Sequence, residues 1–430
     1  MSKIKEGYKK TKIGVIPKDW EVVKLGDIFY EIRDKIGDKN IETYSISAGK
    51  GFISQKNKFG KDISGKQNKN YILLKKNQFS YNKGNSKQYR YGCIYPNTTD
   101  KNIAVPNVFI SFDFKKNEMS TQYYAKLFEN HFLDRGLRKI ISSSARMDGL
   151  LNINKKYFFE LPIIKPPLQE QKKIAQILST WDRAIEKQEK LIEVKEKLKK
   201  GLMQRLLTGE VRFKEFGSGT LVSQNGGVKT PLPSGWKEVR LGEIFNERTQ
   251  RYKKLDTKNI LEYSELLSVG INSGVTKRSD IEAKDNSSSN KDNYKLVNQN
   301  DIVYNTMRMW QGALGVSNLK GIVSPAYTVV YLNKNYCIEF FGRLFKMHRI
   351  IFNFYRYSQG LTSDTWNLKY HNFSKIKVKI PIEIKEQQKI AKVLSIADKE
   401  IELLKKELKA LKEQKKGLMQ RLLSGEVRVK

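Results

Sequence analysis

The chain has 430 residues, enough for two domains of ordinary size, each with a core of its own. Lys and Arg number 81 against 45 Asp and Glu, a formal charge of +36, and an excess that large bears on partners rather than on fold. Two cysteines exclude a disulfide framework, and no stretch approaches the about twenty apolar residues that a membrane-spanning helix needs. The phosphate backbone of nucleic acid is the first partner such a charge suggests. A Lys-rich composition from AT-rich coding and an anionic membrane surface are its other sources. The opening MSKIKEGYKK lacks the apolar run of a signal peptide, so a reducing, cytoplasmic location is expected.

Residues 1–165 read as a first globular domain. It opens on Ile16-Pro17-Lys18-Asp19-Trp20, and Trp20 heads an amphipathic segment as a core anchor rather than a stacking platform. Short strands are predicted in NYILLKKNQFSYN, CIYPN and NVFISFDF, and a helix in TQYYAKLFENHFLD. The loops combine the side chains that contact phosphates and base edges. Asn82, Lys83, Lys87, Gln88 and Arg90 form one such cluster, and Ser143 and Arg146 lie in a second polar loop. A solvated loop accounts for any one of these residues equally well; together they mark a candidate DNA-binding surface.

Residues 166–207 are predicted as one long helix, and 208–229, rich in Gly, Ser and polar residues, as a flexible linker. Residues 230–383 form a second domain, opening on Leu232-Pro233-Ser234-Gly235-Trp236. Strands are expected in DIVYN, GIVSPAYTVVYL and KIKVKI, with a helical stretch in IEFFGRLFKMHRIIFNFY. Its polar loops carry Asn305, Arg308, Trp310 and Gln311, then Gln359, Thr362 and Trp366, as DNA-binding candidates. Residues 384–423 give a second long helix and 424–430 a tail.

Both helices carry a narrow apolar seam with steps of four and three. In the second it runs Ile390, Leu394, Ala397, Ile401, Leu404, Leu408, Leu411, Lys415, Leu418, Leu422, broken only by Lys415. In the first it runs Ile174, Leu178, Trp181, Ile185, Gln188, Ile192, Lys195, Lys199, Leu202, Leu206, with more polar breaks. Ile174, Leu178, Trp181, Ile185, Ile390, Leu394, Ile401 and Leu404 are the candidate partner-binding positions, and the natural partner of each seam is the other. Two amphipathic helices lying each on its own domain are the blander arrangement. Gly201 and Gly417 are expected to mark a bend near the end of each helix.

The second half copies the first. Trp20–Phe29 matches Trp236–Phe245, EQKKIAQIL from Glu170 matches EQQKIAKVL from Glu386, and GLMQRLLTGEVR from Gly201 matches GLMQRLLSGEVR from Gly417, all at an offset of 216 residues. Between these ends the halves diverge: YNKGNSKQYRYG from Tyr81 shares little beyond its first two residues with YNTMRMWQGALG from Tyr304. Two large copies, unlike the three or more short repeats of a solenoid, predict an α+β fold. Two mixed α/β domains would stand in a pseudo-two-fold arrangement, joined by two long antiparallel coiled-coil helices.

No constellation of nucleophile and base stands out in the sequence, although scattered Asp and Glu could form a short nuclease site. His131, His348 and His371 are scattered and cannot supply zinc-ligand spacing with Cys93 and Cys337. Gly60–Gln67 falls short of a phosphate-binding loop, with Gln67 where a Ser or Thr must reach magnesium. The single Pro-Pro, Pro166-Pro167, is followed by Leu168, so the Asn-Pro-Pro-aromatic signature of adenine methyltransferases is absent. Neither a catalytic nor a metal-binding residue is assigned. A nuclease with a short overlooked site, and a coiled-coil scaffold, remain the alternatives to a DNA reader.

Pro166-Pro167-Leu168-Gln169-Glu170-Gln171, the matching Glu386-Gln387, the twin LLTGEVR and LLSGEVR endings and the two Pro-x-x-Trp openings resemble the specificity subunit of type I restriction–modification systems along the whole chain. The second copy departs at Ile382-Glu383-Ile384, where the proline pair is missing. The resemblance implies that residues 1–165 and 230–383 are target recognition domains, each reading half of a bipartite, asymmetric DNA site. It implies docking of two modification subunits that methylate adenine N6 with S-adenosylmethionine. Restriction subunits would add ATP- and Mg-dependent translocation and cleavage. The chain itself would hold no cofactor, touch no membrane and catalyse neither reaction.

Overall fold

The computed structural model describes residues 4–61, 65–84, 86, 88–116, 118–141, 150–218, 232–254, 261–282, 287–363 and 365–429. They fall into two compact units: Met1–Glu189 with Lys406–Lys430, and Lys190–Lys405. The division therefore passes through both long helices, not between the two sequence copies.

In the first unit, Phe29–Glu31, Ile110–Phe114, Phe79–Asn82 and Cys93–Pro96 line up in that order as a four-stranded antiparallel sheet. These strands are rich in aromatic and β-branched residues, which suit a pleated, half-buried surface. Phe29, Phe79 and Phe112 are buried and pack ring against ring with Phe128 of the helix Thr121–Glu129. Glu21–Lys24 pairs with Pro162–Lys165, bringing the two ends of the domain together at the foot of the first long helix.

The second unit repeats this frame with different side chains. Its sheet runs Phe245–Glu247, Tyr327–Leu332, Ile302–Asn305 and Leu314–Val316, and Trp236–Arg240 pairs with Lys377–Pro381. Phe245 packs edge-on against Phe341 and Phe373. The helical stretch expected here forms two helices, Ile338–Leu344 and His348–Tyr357, because Met347 adopts an extended conformation at the N-cap of the second.

Each long helix is unbroken for 40 residues, Leu168–Leu207 and Ile384–Leu423. Gly201 and Gly417 therefore lie inside helix and mark no break, correcting the expected interruption. Each helix ends instead at a glycine with φ +74°, Gly209 and Gly425, and the amides of Val211 and Val427 reach back to the carbonyls of Arg205 and Arg421, a left-handed C-cap. A Cβ on Gly209 would come within 2.7 Å of Pro233, and one on Gly425 within 2.6 Å of Pro17, so the glycine of each GEVR ending is required twice over.

Residues 208–218, predicted as part of the linker, are ordered: Lys214–Phe216 forms a short 3₁₀ turn and the Arg212 side chain is buried. Residues 219–231 lie outside the described residues. No helix among the described residues is long and apolar enough to cross a membrane.

Candidate nucleic-acid interface

In the first unit the loop after Tyr81 is pinned at both ends. The Asn82 side chain donates to the Ile46 carbonyl (3.2 Å) and accepts from the Gly84 amide (2.9 Å), while the buried Tyr81 hydroxyl donates to the Tyr91 carbonyl. Gly92, at φ +78°, closes the loop where a Cβ would lie 2.3 Å from the Asn82 carbonyl oxygen. Asn82 is thus half-buried and bonded within the domain, so it braces the loop. Lys83 is half-buried and its carbonyl accepts from Leu151, while Gln88 and Arg90 are exposed. Lys87, Ser143 and Arg146 lie outside the described residues. Tyr89, which sequence reasoning passed over, sits between Gln88 and Arg90 with its ring 5.0 Å from that of His131.

In the second unit the two predicted loops come together. Asn305 accepts from the Met307 amide (3.0 Å), fixing the turn that carries Met309–Gln311. Trp310 donates from its indole to the Met307 carbonyl (3.0 Å), and its ring meets Trp366 at 5.2 Å and 82°. Trp366 also meets Tyr355 at 4.9 Å. The Leu368 amide donates to the Thr306 carbonyl, tying one loop to the other. Arg308, Gln359 and Thr362 are exposed, and Gln311 is half-buried. The aromatic brace, with Phe352 and Tyr355 on His348–Tyr357, was missed because that helix reads as plain core; only its surplus of exposed rings sets it apart.

The unlike inserts are held by like frames, each closed by a Trp–Glu–Arg contact. In the first unit Trp20 Nε1 donates to Glu170 (2.8 Å), and Arg428 grips the same carboxylate through Nε and Nη2 (2.8 and 2.9 Å). In the second, Trp236 Nε1 donates to Glu386 (3.3 Å), and Arg212 grips it through Nε and Nη2 (2.8 and 2.7 Å). Donating hydrogen bonds to these carboxylates raises both guanidinium pKa values. In each unit, therefore, a domain and the start of its following helix are closed by the tail that follows the other copy's helix. Gln171 and Gln387 add a matching pair, donating to the carbonyls of Pro166 and Pro381 and accepting from the amides of Ser120 and Cys337.

Within each unit the long-helix segments pair antiparallel, and every polar break in the seams finds a partner on the opposing segment. In the first unit Lys415 meets Asp182 (2.6 Å), Lys412 meets Glu189 (2.6 Å) and Gln188 meets Glu407 (3.1 Å). In the second Lys199 meets Asp398, and Lys195 meets Glu400 (2.5 Å). Cations from the shorter helices Thr121–Glu129 and Ile338–Leu344 join them: Lys126 on Asp182 and Arg343 on Asp398, both at 2.6 Å. Polar pairs at seam positions fix register. Ile174, Leu178, Ile390 and Leu394 are buried in these intramolecular cores, Ile401 is buried, and Trp181, Ile185 and Leu404 are half-buried. Each seam thus packs within this chain, and the burial leaves Trp181, Ile185 and Leu404 the most accessible of the candidate partner-binding positions.

Burial raises the carboxyl pKa of Asp182 and Asp398, but the hydrogen bonds and charges of their cationic partners outweigh it and leave both lowered. A carboxylate whose folded pKa lies below its unfolded value of about 3.9 stabilises the fold above that pH and ceases to as pH falls through the folded value. Thermal melts should therefore show the wild type losing more stability between pH 7 and pH 3 than a variant carrying Asp182→Asn and Asp398→Asn. Equal losses would refute the assignment.

Among the described residues no group of three His, Cys, Asp or Glu side chains could hold a metal ion. The element before Gly60 is a helix, Gln55–Phe59, not the strand of a phosphate-binding loop. Cys93 and Cys337 are buried, which pushes both thiols up to about 11 and away from reactivity.

A family model described as the type I restriction modification DNA specificity domain matches residues 17–196 and 233–413. A putative type I restriction enzyme MjaX specificity subunit from Methanocaldococcus jannaschii is 28% identical over 99% of this chain and 97% of its own. The MjaVIII specificity subunit of the same organism is 26% identical with the same coverage. A crystal structure of a type I restriction–modification S subunit from M. genitalium shares the fold, with a TM-score of 0.52, 17% identity and 98% of each chain covered.

Proposed function

Because the chain belongs to the type I restriction–modification DNA specificity family, we propose that it supplies sequence recognition to such an enzyme and performs no chemistry on DNA itself. The first insert reads one half of a bipartite, asymmetric site and the second reads the other. Two modification subunits, using S-adenosylmethionine, methylate adenine N6 at that site, and ATP- and Mg-dependent restriction subunits act when it is unmodified. The observation that carries this reading is one frame, repeated down to its Trp–Glu–Arg closure, presenting two different polar and aromatic surfaces. A duplicated frame with unlike heads suits an asymmetric two-part target, whereas a scaffold gains nothing from the difference.

The methylome of the host tests it. Methylated adenines are expected in a motif of two short parts separated by unspecified bases. Exchanging the insert from about Tyr30 to Pro162 should change one part and leave the other. A continuous palindrome, or a change in both parts, would overturn the reading. Binding to a duplex carrying the motif should also fall by at least about 10³-fold between roughly 50 and 200 mM salt, as for a protein neutralising six or more phosphates.

A further inference from the structure

Leu361 stands on the loop between Ser358 and Asn367 with its side chain fully exposed, at 101%. Single exposed leucines are ordinary; this one is set apart by how firmly its loop is held and by what surrounds it. Gln359 and Asn367 exchange backbone hydrogen bonds (2.9 and 2.8 Å), and Thr365 Oγ1 donates to the Thr362 carbonyl (2.9 Å). Trp366, in the same loop, is clamped between Trp310 and Tyr355. The described residues on either side of Asp364 are tied to one another in this way, which lowers the conformational cost of meeting a ligand.

The surroundings favour duplex DNA as that ligand. Arg308, Arg356 and Lys369, on the elements that hold the loop, are exposed and form no ion pair among the described residues. Gln359 and Thr362 flank the leucine with exposed hydrogen-bonding groups. Base edges in the major groove present donors, acceptors and one apolar group, the C5 methyl of thymine. Cations for phosphate, an amide and a hydroxyl for base edges and a projecting aliphatic side chain together match that surface. We propose that Leu361 contacts the methyl of a thymine in the half-site read by the second domain and is a specificity-determining residue there. This rests on the DNA-reading function proposed above.

The test uses the full chain and a duplex carrying the methylome-defined site, with each thymine of that half-site replaced in turn by deoxyuridine, which lacks only the methyl. At one position wild type should lose about fourfold in affinity, the worth of one buried carbon. Leu361→Ala should lose a similar factor on the thymine duplex and be indifferent to uracil there, with unchanged thermal melting. A uracil penalty that survives Leu361→Ala overturns the proposal, as does wild-type binding that prefers the site and ignores every uracil. Unstacking at the position, seen as a rise in 2-aminopurine fluorescence that Leu361→Ala abolishes, overturns it in favour of a wedge between bases. Absence of any site preference in wild type would sink the DNA-reading function itself, and this contact with it.

Discussion

Arg212→Ala is expected to destabilise the Lys190–Lys405 unit by about 3–5 kcal/mol, the cost of removing one partner from a buried ion pair. The side chains of Arg212 and Glu386 are 3% and 1% exposed, and the pair is bidentate. Without the guanidinium, Glu386 keeps, among the described residues, only the Trp236 indole donor, at 3.3 Å, and its charge is left without a cationic partner. The loss should therefore come from a stranded carboxylate rather than from the pair's own attraction, which desolvation largely offsets. Adding Glu386→Gln removes the charge and should restore part of the stability. Arg428→Ala, in the other unit, should cost less, since Arg428 is 20% exposed. Denaturant unfolding of the full chain followed by tryptophan fluorescence reads all three variants; an Arg212→Ala curve superimposed on wild type would show that the pair does not form.

The repeat, the two long helices and the polar breaks in their seams are legible in the sequence because each is periodic or duplicated. Lys415 stands out as the one charge in an otherwise apolar seam, and its partners Asp182 and Glu129 give that interruption a physical reason. What closes each unit is not legible, and the cause is the duplication. Arg212 and Arg428 sit in nearly identical segments, as do Glu170 and Glu386, so nothing in the sequence says which arginine meets which glutamate. The loops show the complementary difficulty. Composition marks residues 82–90 and 305–311 as polar surfaces, yet Asn82 turns inward to the Ile46 carbonyl while its neighbours Gln88 and Arg90 face water. Alternation of facing has no sequence period in a loop. The Trp310–Trp366 contact joins residues far apart in the chain, and a single sequence carries no signal for it.

The crossed closure leads to the second large effect, in which the sequence repeat and the folding unit part company. A fragment spanning Lys190–Lys405 should fold alone, although it begins and ends in the middle of a helix. It retains Leu206 and Leu207, which are buried in one core with Trp236, Ile390 and Leu394, and it retains the Arg212–Glu386 pair and the Lys199–Asp398 contact. A fragment spanning residues 217–430, the tidy second copy, loses Leu206, Leu207 and Arg212 together. Burial of a leucine contributes about 1.5–3 kcal/mol, so these losses exceed a large part of the 5–15 kcal/mol by which domains are stable. The second fragment can recover them only by borrowing the GLMQRLLSGEVR segment of another molecule, whose Arg428 matches Arg212 in the repeat. Its folding should therefore depend on protein concentration, whereas that of Lys190–Lys405 should not. Circular dichroism melts at two concentrations a hundredfold apart, with sedimentation to give the mass, decide between them. Two fragments melting alike as monomers would mean that the closing tails contribute little to either unit.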